Sequence, residues 1–308
     1  MSGPTRVLVT GAGGQVGVDL VDVLRGRTPL GGDAKFQPDG RAIGVDEFEV
    51  LGLTRSELDV ADRDAVLKTL RATRPDVVVH LAAYTAVDRA EEDAVSCFYV
   101  NEHGTESMVL GARDVGAHLI AISTDFVFDG TKGDAYVEDD ATHPLSIYGA
   151  SKRGGELHCS TSDTVVRTSW VMGVRGKSVI HAIANKASAG ETVRFVDDQM
   201  GTVSGASDLA RSLATLIRER PGGTWHVANS EAATWFDIAA YVGSLLGRDD
   251  EFASPISTSE LSPAPLATRP ARSDLDTTKF ASSWSALAPW RDAVARLVRD
   301  RQVNNVAG

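Results

Sequence analysis

The stretch Val7-Leu8-Val9-Thr10-Gly11-Ala12-Gly13-Gly14-Gln15-Val16-Gly17 leaves this chain fewer folds than any other part of it. Val7 to Val9, bounded by Arg6 and by Thr10-Gly11, read as a short strand buried on both faces. Apolar residues then recur at helical spacing from Val18 to Leu24. Strand, glycine turn and helix, in that order, form the unit that binds dinucleotides. Gly11 permits the tight turn, Gly14 lets the backbone approach a pyrophosphate, and Gly17 lets helix pack on strand. The helix N-terminus offers unpaired N–H groups and the positive end of its dipole to the phosphates.

The alternation continues. Arg27 to Glu47 carry glycines and prolines with little periodicity, a surface excursion before a second strand at Phe48 to Leu53. That strand ends in Thr54-Arg55, with no acidic residue placed to take a ribose 2′-hydroxyl. An arginine there suits a 2′-phosphate, so Arg55 favours NADPH, with NADH as the second option and a solvated surface arginine as the bland reading. Asp59 offers an acceptor for an adenine amine, and Val60 a wall for the ring. Asp62 to Ala72 read as an amphipathic helix, and Val77 to Ala83 as a buried strand. The small Ala82 and Ala83 at its end leave room for a nicotinamide ribose. His80, in the middle, reads as a core histidine. Ala90 to Val115 read as one long helix, and His118 to Thr124 as another buried strand. Such regular alternation implies an α/β fold of Rossmann type, a doubly wound parallel sheet.

A net charge of −11 opposes nucleic-acid binding but not a phosphate-bearing small ligand, which local N–H groups can hold. Cys97 and Cys159 stand in no metal-ligand spacing and read as free thiols of a reducing, cytoplasmic setting. No apolar run is long enough for a signal peptide or membrane span. No metal site is expected, and Asp19 reads as a solvated helix carboxylate.

Tyr148-Gly149-Ala150-Ser151-Lys152 carries the chemistry. A tyrosine four residues before a lysine puts both side chains on one helical face. In a cofactor cleft, Lys152 would pull the phenol below its usual pKa of about 10. Thr124, at a strand end, would hydrogen-bond a substrate carbonyl while Tyr148 protonates it.

These stretches, in order, resemble the extended short-chain dehydrogenases/reductases, and among them the dTDP-4-dehydrorhamnose reductase family. The resemblance rests on Gly11 to Gly17, Ala82 to Asp88 with Ala90-Glu91, Ser123 to Phe128, Pro144 to Lys152 and Arg167 to Val171. It continues through Asp198 to Gly201, Thr234-Trp235 and Arg269-Pro270. It implies NADPH-dependent reduction of the C4 ketone of dTDP-4-dehydro-L-rhamnose, with Tyr148 as proton donor and Lys152 as its partner. Thr124, Asp125 and Trp170 would lie on the substrate, and Gln15, Val16, Ala83, Tyr84 and Thr85 at the cofactor. Phe126, Met172 and Val203-Ser204 depart from the residues common at these places, and the excursion from Arg27 to Glu47 is longer than the family needs. The reaction type follows from the resemblance more firmly than the sugar does.

After Trp170 the alternation loosens into a smaller C-terminal α/β substrate-binding lobe. The expected units are residues 1–170, binding the dinucleotide, and 171–308, binding the substrate, with the chain crossing back between them. Helices are expected at 179–189, 206–218 and 235–246, strands at 193–196 and 225–228, and a proline-bearing loop at 255–270. Arg269 and Arg272 suit either a nucleotide diphosphate or helix carboxyl ends. The partner is a small nucleotide sugar, and the protein a monomer or homodimer. Two other readings stand beside reduction of dehydrorhamnose: reduction of another dTDP-4-keto-6-deoxyhexose, and a non-catalytic nucleotide-sensing subunit. A dehydratase would carry Asp-Glu after the threonine; here Phe126 follows Asp125.

Overall fold

The computed structural model describes residues 3–32, 37–44, 46–176 and 178–306. In chain order, β1 (Thr5–Thr10) leads to α1 (Gln15–Leu24), β2 (Phe48–Leu53), α2 (Arg63–Thr73) and β3 (Val77–His80). Two short helices, α3 (Val87–Glu92) and α4 (Ala94–Phe98), a π-helical turn (Tyr99–His103) and α5 (Gly104–Val115) precede β4 (His118–Thr124). A 3₁₀ turn (Asp125–Val127), α6 (Ile147–His158) and β5 (Thr164–Thr168) follow. The second half runs β6 (Val171–Met172), α7 (Val179–Ser188), β7 (Val193–Val196), β8 (Met200–Thr202), β9 (Ser204–Gly205) and α8 (Ala206–Glu219). It closes with β10 (Gly223–His226), β11 (Ala232–Thr234), α9 (Trp235–Leu245), β12 (Ala253–Ile256), α10 (Thr278–Ser283) and α11 (Trp290–Val306).

Side chains alternate across a strand, so a strand buried on both faces feeds two cores. Val7 and Val9 of β1 enter one core with Leu20 and Val23 of α1 and Leu213 and Ile217 of α8. Leu8 enters the other, with Leu70 of α2 and Met108 and Val109 of α5. β3 repeats this, with Val77 and Val79 on one side and Val78 on the other. Six parallel strands in the order β2-β1-β3-β4-β5-β10 form the sheet. Winding reverses between β1 and β3, where open parallel sheets bind ligands beyond their carboxyl ends.

The chain returns to this sheet after leaving it. β10 pairs with β5 at the edge, and α8 lies against α1. A further core belongs to the lobe: Ile180, Ile183, Ile238, Val242, Phe252 and Trp290 are all buried there.

Four expectations need correction. β3 stops at His80, and Leu81 to Ala83 leave the sheet as a loop. The single helix expected from Ala90 to Val115 is broken twice, where the Asp93 carboxylate accepts the Ser96 N–H and opens α4, and at the π-helical turn. Pro255 and Ile256, expected in a loop, pair in parallel with β7. Asp19 is not solvated: it is 3% exposed, and burial lifts its carboxyl to about 7 against the pull of Arg175, 3.8 Å away. Of the excursion between α1 and β2, residues 33–36 and 45 lie outside the described residues. Its described end is pinned by Arg218 of α8, which donates to Glu47 Oε1 at 2.6 Å, Asp39 Oδ2 at 2.8 Å and the carbonyls of Arg41 and Ala42 at 2.9 Å.

Because β10 and α8 complete the sheet, a chain ended at residue 170 would leave β5 as an edge and bare the apolar face of α1. Such a fragment should show no cooperative urea transition, while the full chain shows one for this core.

Candidate active site

β4 delivers Thr124 to the carboxyl end of the sheet, and the 3₁₀ turn behind it carries Asp125 and Phe126. α6 brings Tyr148 and Lys152 to the same place. It can rest on that turn only because Gly149 has no side chain: a Cβ there would lie 2.2 Å from the Phe126 carbonyl oxygen. Two side chains secure the start of α6. Ser146 Oγ accepts the Gly149 N–H at 3.1 Å, and Glu91 Oε1 accepts the Ile147 N–H at 2.9 Å.

Asn101, on the π-helical turn, was not singled out by sequence reasoning. Its Oδ1 accepts the Tyr84 N–H at 2.8 Å, and its Nδ2 donates to the Tyr84 carbonyl at 3.1 Å and to Ser151 Oγ at 2.9 Å. Ser151 in turn donates to the Tyr148 carbonyl at 2.8 Å. One fully buried amide thus joins the loop after β3 to the turn of α6 between Tyr148 and Lys152. π-helical turns inside α-helices recur at functional sites, and nothing in the apolar pattern from Ala90 to Val115 marked this one.

The electrostatics differ from the sequence expectation. Burial raises the Tyr148 phenol above its ordinary value, the charges of Asp125 and Cys97 add to this, and a hydrogen bond with Thr124 opposes it. The phenol is therefore held as O–H, the form a proton donor needs. Burial also lowers Lys152 from its ordinary 10.5 to about 8, against Glu156, Cys159 and Cys97. Asp125 is 2% exposed, and burial lifts it to about 6 although Ser273 donates to it at 2.6 Å and Thr124 at 3.0 Å. His80 is buried with Nδ1 2.8 Å from Thr10 Oγ1, and burial lowers it to about 3, a neutral core histidine as expected.

Thr124, Asp125, Tyr148 and Lys152 open on one cleft of about 760 Å³. At one end lie Gly11, Gly14, Gln15, Val16 and Gly17, with Arg55, Asp59 and Val60 beside them. Ala82, Ala83, Tyr84 and Thr85 line its middle, and Thr124, Asp125, Tyr148, Lys152 and Trp170 its far end. Arg55 is 85% exposed, 4.0 Å from Asp59. Trp170 stacks on Trp235 with ring centroids 4.2 Å apart.

Arg269 lies outside this cleft, as does Arg272. Arg269 lines a neighbouring groove of about 710 Å³ with Trp235, Phe195 and Leu266, and its guanidinium grips Asp88 at 2.6 and 3.0 Å. Arg272 pairs with Asp274 at 2.8 Å. Of the residues that depart from the family pattern, Met172 and Val203 are buried in the lobe core, whereas Phe126 lines the cleft edge-on to Tyr148.

The glycine turn fits a dinucleotide. Gly11 has φ +66°, and a Cβ on it would lie 2.8 Å from the Ala82 nitrogen; one on Gly17 would lie 2.2 Å from the Gly11 oxygen. No side chain caps α1 and no acidic residue stands in its first turn, so its N-terminus is open to an anion. The buried hydroxyls of Ser123 and Tyr84, both lining the cleft, have no hydrogen-bond partner in the protein. Among the described residues no group of three or more His, Cys, Asp or Glu could hold a metal, and no helix is long and apolar enough to cross a membrane.

A doubly wound sheet with a glycine turn at its switch point and a Thr-Tyr-Lys group across the cleft defines an oxidoreductase of the extended short-chain dehydrogenase/reductase class. The family described as RmlD substrate binding domain matches residues 40–303, and the chain belongs to that family. It is 36% identical to a dTDP-4-dehydrorhamnose reductase of Streptomyces griseus over 94% of this chain and 91% of that one. It is 34% identical to a dTDP-4-keto-6-deoxy-D-glucose reductase of Streptomyces niveus over 86% of each chain. The crystal structure of dTDP-4-dehydrorhamnose reductase from Bacillus anthracis in complex with NADP superposes with a TM-score of 0.84 at 28% identity, covering 96% of this chain and 99% of that one.

The Lys152 shift sets a sign for stability. Its folded pKa of about 8 lies below the ordinary 10.5, so between these values the unfolded chain binds the proton and the folded one does not. This group therefore adds stability as pH rises through that window. Lys152→Met lacks the contribution: urea titrations should show the variant losing ground to the wild type from pH 8 to pH 10.

Proposed function

We propose that this chain reduces the C4 ketone of dTDP-4-dehydro-L-rhamnose to dTDP-L-rhamnose with NADPH. The observation that carries this is the convergence of Thr124, Tyr148 and Lys152 with the glycine turn in one cleft. Gly11, Gly14, Gln15, Val16 and Gly17 hold the pyrophosphate, Arg55 the 2′-phosphate, and Asp59 and Val60 the adenine. Ala82, Ala83, Tyr84 and Thr85 would hold the nicotinamide ribose together with Tyr148 and Lys152. NADPH, when bound, supplies the hydride.

The chain's own residues do the rest. Thr124 and Asp125 orient the ketone, and Tyr148, kept protonated by burial, gives its proton to the developing alkoxide. Lys152 steadies the phenolate left behind and holds the ribose. Trp170, braced by Trp235, walls the sugar. Arg269 meets the nucleotide diphosphate, which requires it to exchange Asp88 for phosphate. Residues 1–170 form the dinucleotide-binding unit and 171–308 the substrate-binding lobe, with the chain crossing back between the two, in a cytoplasmic monomer or homodimer.

A second reading, reduction of another dTDP-4-keto-6-deoxyhexose, is favoured by Phe126, the departing side chain that lines the cleft. A hydroxyl present or absent there discriminates sugars more sharply than shape does.

Purified protein given NADPH and dTDP-4-dehydro-L-rhamnose should oxidise the cofactor, followed by absorbance. Oxidation only with an isomeric keto sugar would select the second reading, and none with any nucleotide keto sugar would leave a nucleotide-sensing subunit. Tyr148→Phe should bind NADPH as the wild type does and lose kcat by about a hundredfold or more. Arg55→Ser should raise KM for NADPH about tenfold and leave that for NADH unchanged, since a bidentate phosphate contact is lost.

A further inference from the structure

We propose that α3 is a strut that ties the loop at residues 261–270 to the seat of the catalytic helix, with Asp88 and Glu91 as positioning residues at its two attachments. The proposal rests on the reading of Tyr148 as proton donor. Asp88 and Glu91 are three apart on this helix, so their carboxylates project from neighbouring positions of one side. Asp88 takes the loop. Its Oδ1 accepts the Ala267 N–H at 3.1 Å and Arg269 Nη1 at 3.0 Å, and its Oδ2 accepts Arg269 Nη2 at 2.6 Å. Arg269 also donates to the Ala267 carbonyl at 3.0 Å, so the loop is folded around the same carboxylate. The Arg269 pair holds the Asp88 carboxyl below its usual range.

Glu91 takes the helix. Its Oε1 accepts the Ile147 N–H, one of the N-terminal donors that α6 cannot satisfy internally, and its charge sits at the positive end of the α6 dipole. Tyr148 is the next residue. α3 itself follows directly on Ala82 to Thr85, which line the cofactor cleft. A six-residue helix with one buried side chain, Ala90, has little core of its own. Its position is fixed from outside, by these two carboxylates and by α4 and α6 packed against it.

Asp88 keeps 44% of its side chain exposed, so an anion reaching Arg269 from the groove can compete for it. A nucleotide diphosphate is of that class, and its arrival would be felt at the start of α6 through α3. Asp88 and Glu91 touch neither cofactor nor sugar in this scheme; they act through Arg269 and Tyr148.

The test is amide hydrogen exchange over residues 147–149, which needs no turnover, paired with steady-state kinetics. Glu91→Ala should speed exchange there about tenfold and lower kcat about three- to tenfold with KM for NADPH unchanged, the size expected for one charge-assisted cap. Glu91→Gln, which keeps an acceptor, should restore both. Asp88→Ala should speed exchange at 147–149 as well as at 261–270, and the double variant should exchange no faster at 147–149 than Glu91→Ala alone. Exchange at 147–149 unmoved in Asp88→Ala, or simple additivity in the double variant, would overturn the strut. Failure of the wild type to reduce any keto sugar would sink the proposed function while leaving the exchange result to decide this one.

Discussion

The site depends on a backbone-to-backbone contact: α6 resting on the turn that ends β4, at Gly149. That contact sets how far Tyr148 stands from Thr124, because the two residues flank it on their respective elements. Any side chain at Gly149 would meet the Phe126 carbonyl, so the helix would have to lift and carry the phenol with it. The glycine turn repeats the device at the opposite end of the cleft, where Gly17 lies against Gly11 and Gly11 against Ala82. Both ends of the site are therefore set by main chain, and main chain does not change rotamer. Side chains then fill a frame whose dimensions are already fixed.

The elements that obey a period were legible in the sequence. β4 spans the stretch read as a strand, His118 to Thr124, and Val7 to Val9 feed two cores because a strand alternates. What failed to show was whatever depends on a partner distant in the chain. Asn101 looks like one more polar residue in a helical stretch; its role comes from Tyr84 and Ser151 being brought to it. Asp19 carries no local mark of burial, since α8 and the loop bearing Arg175 arrive from the second half of the chain. Arg269 was read as meeting a nucleotide diphosphate or a helix carboxyl end, whereas its partner here, Asp88, is 181 residues away in sequence.

The phenol is the instructive case. Tyr148 and Lys152 do share a helical face and a cleft, as their spacing required. The spacing could not say how much water either would keep. With both desolvated, burial raises one and lowers the other, and neighbouring Asp125 and Cys97 push Tyr148 further up. A pair-wise rule read the attraction and missed the solvent, which is the larger effect once two groups leave water together.

Trp170 stands where the chain passes from β5 into the lobe, with φ at +39°, a conformation that suits glycine and costs a bulky residue about 1–3 kcal/mol. Its ring is nonetheless accommodated with care: Gly201 leaves the space it occupies, since a Cβ there would lie 2.8 Å from the indole, and Trp235 lies along its face. The fold would be easier to hold with a small residue at this position, and the cleft would then lose its wall. Glycine here would relax the backbone and remove the ring that lines the cleft, so stability and the shape of the cleft pull this position in opposite directions.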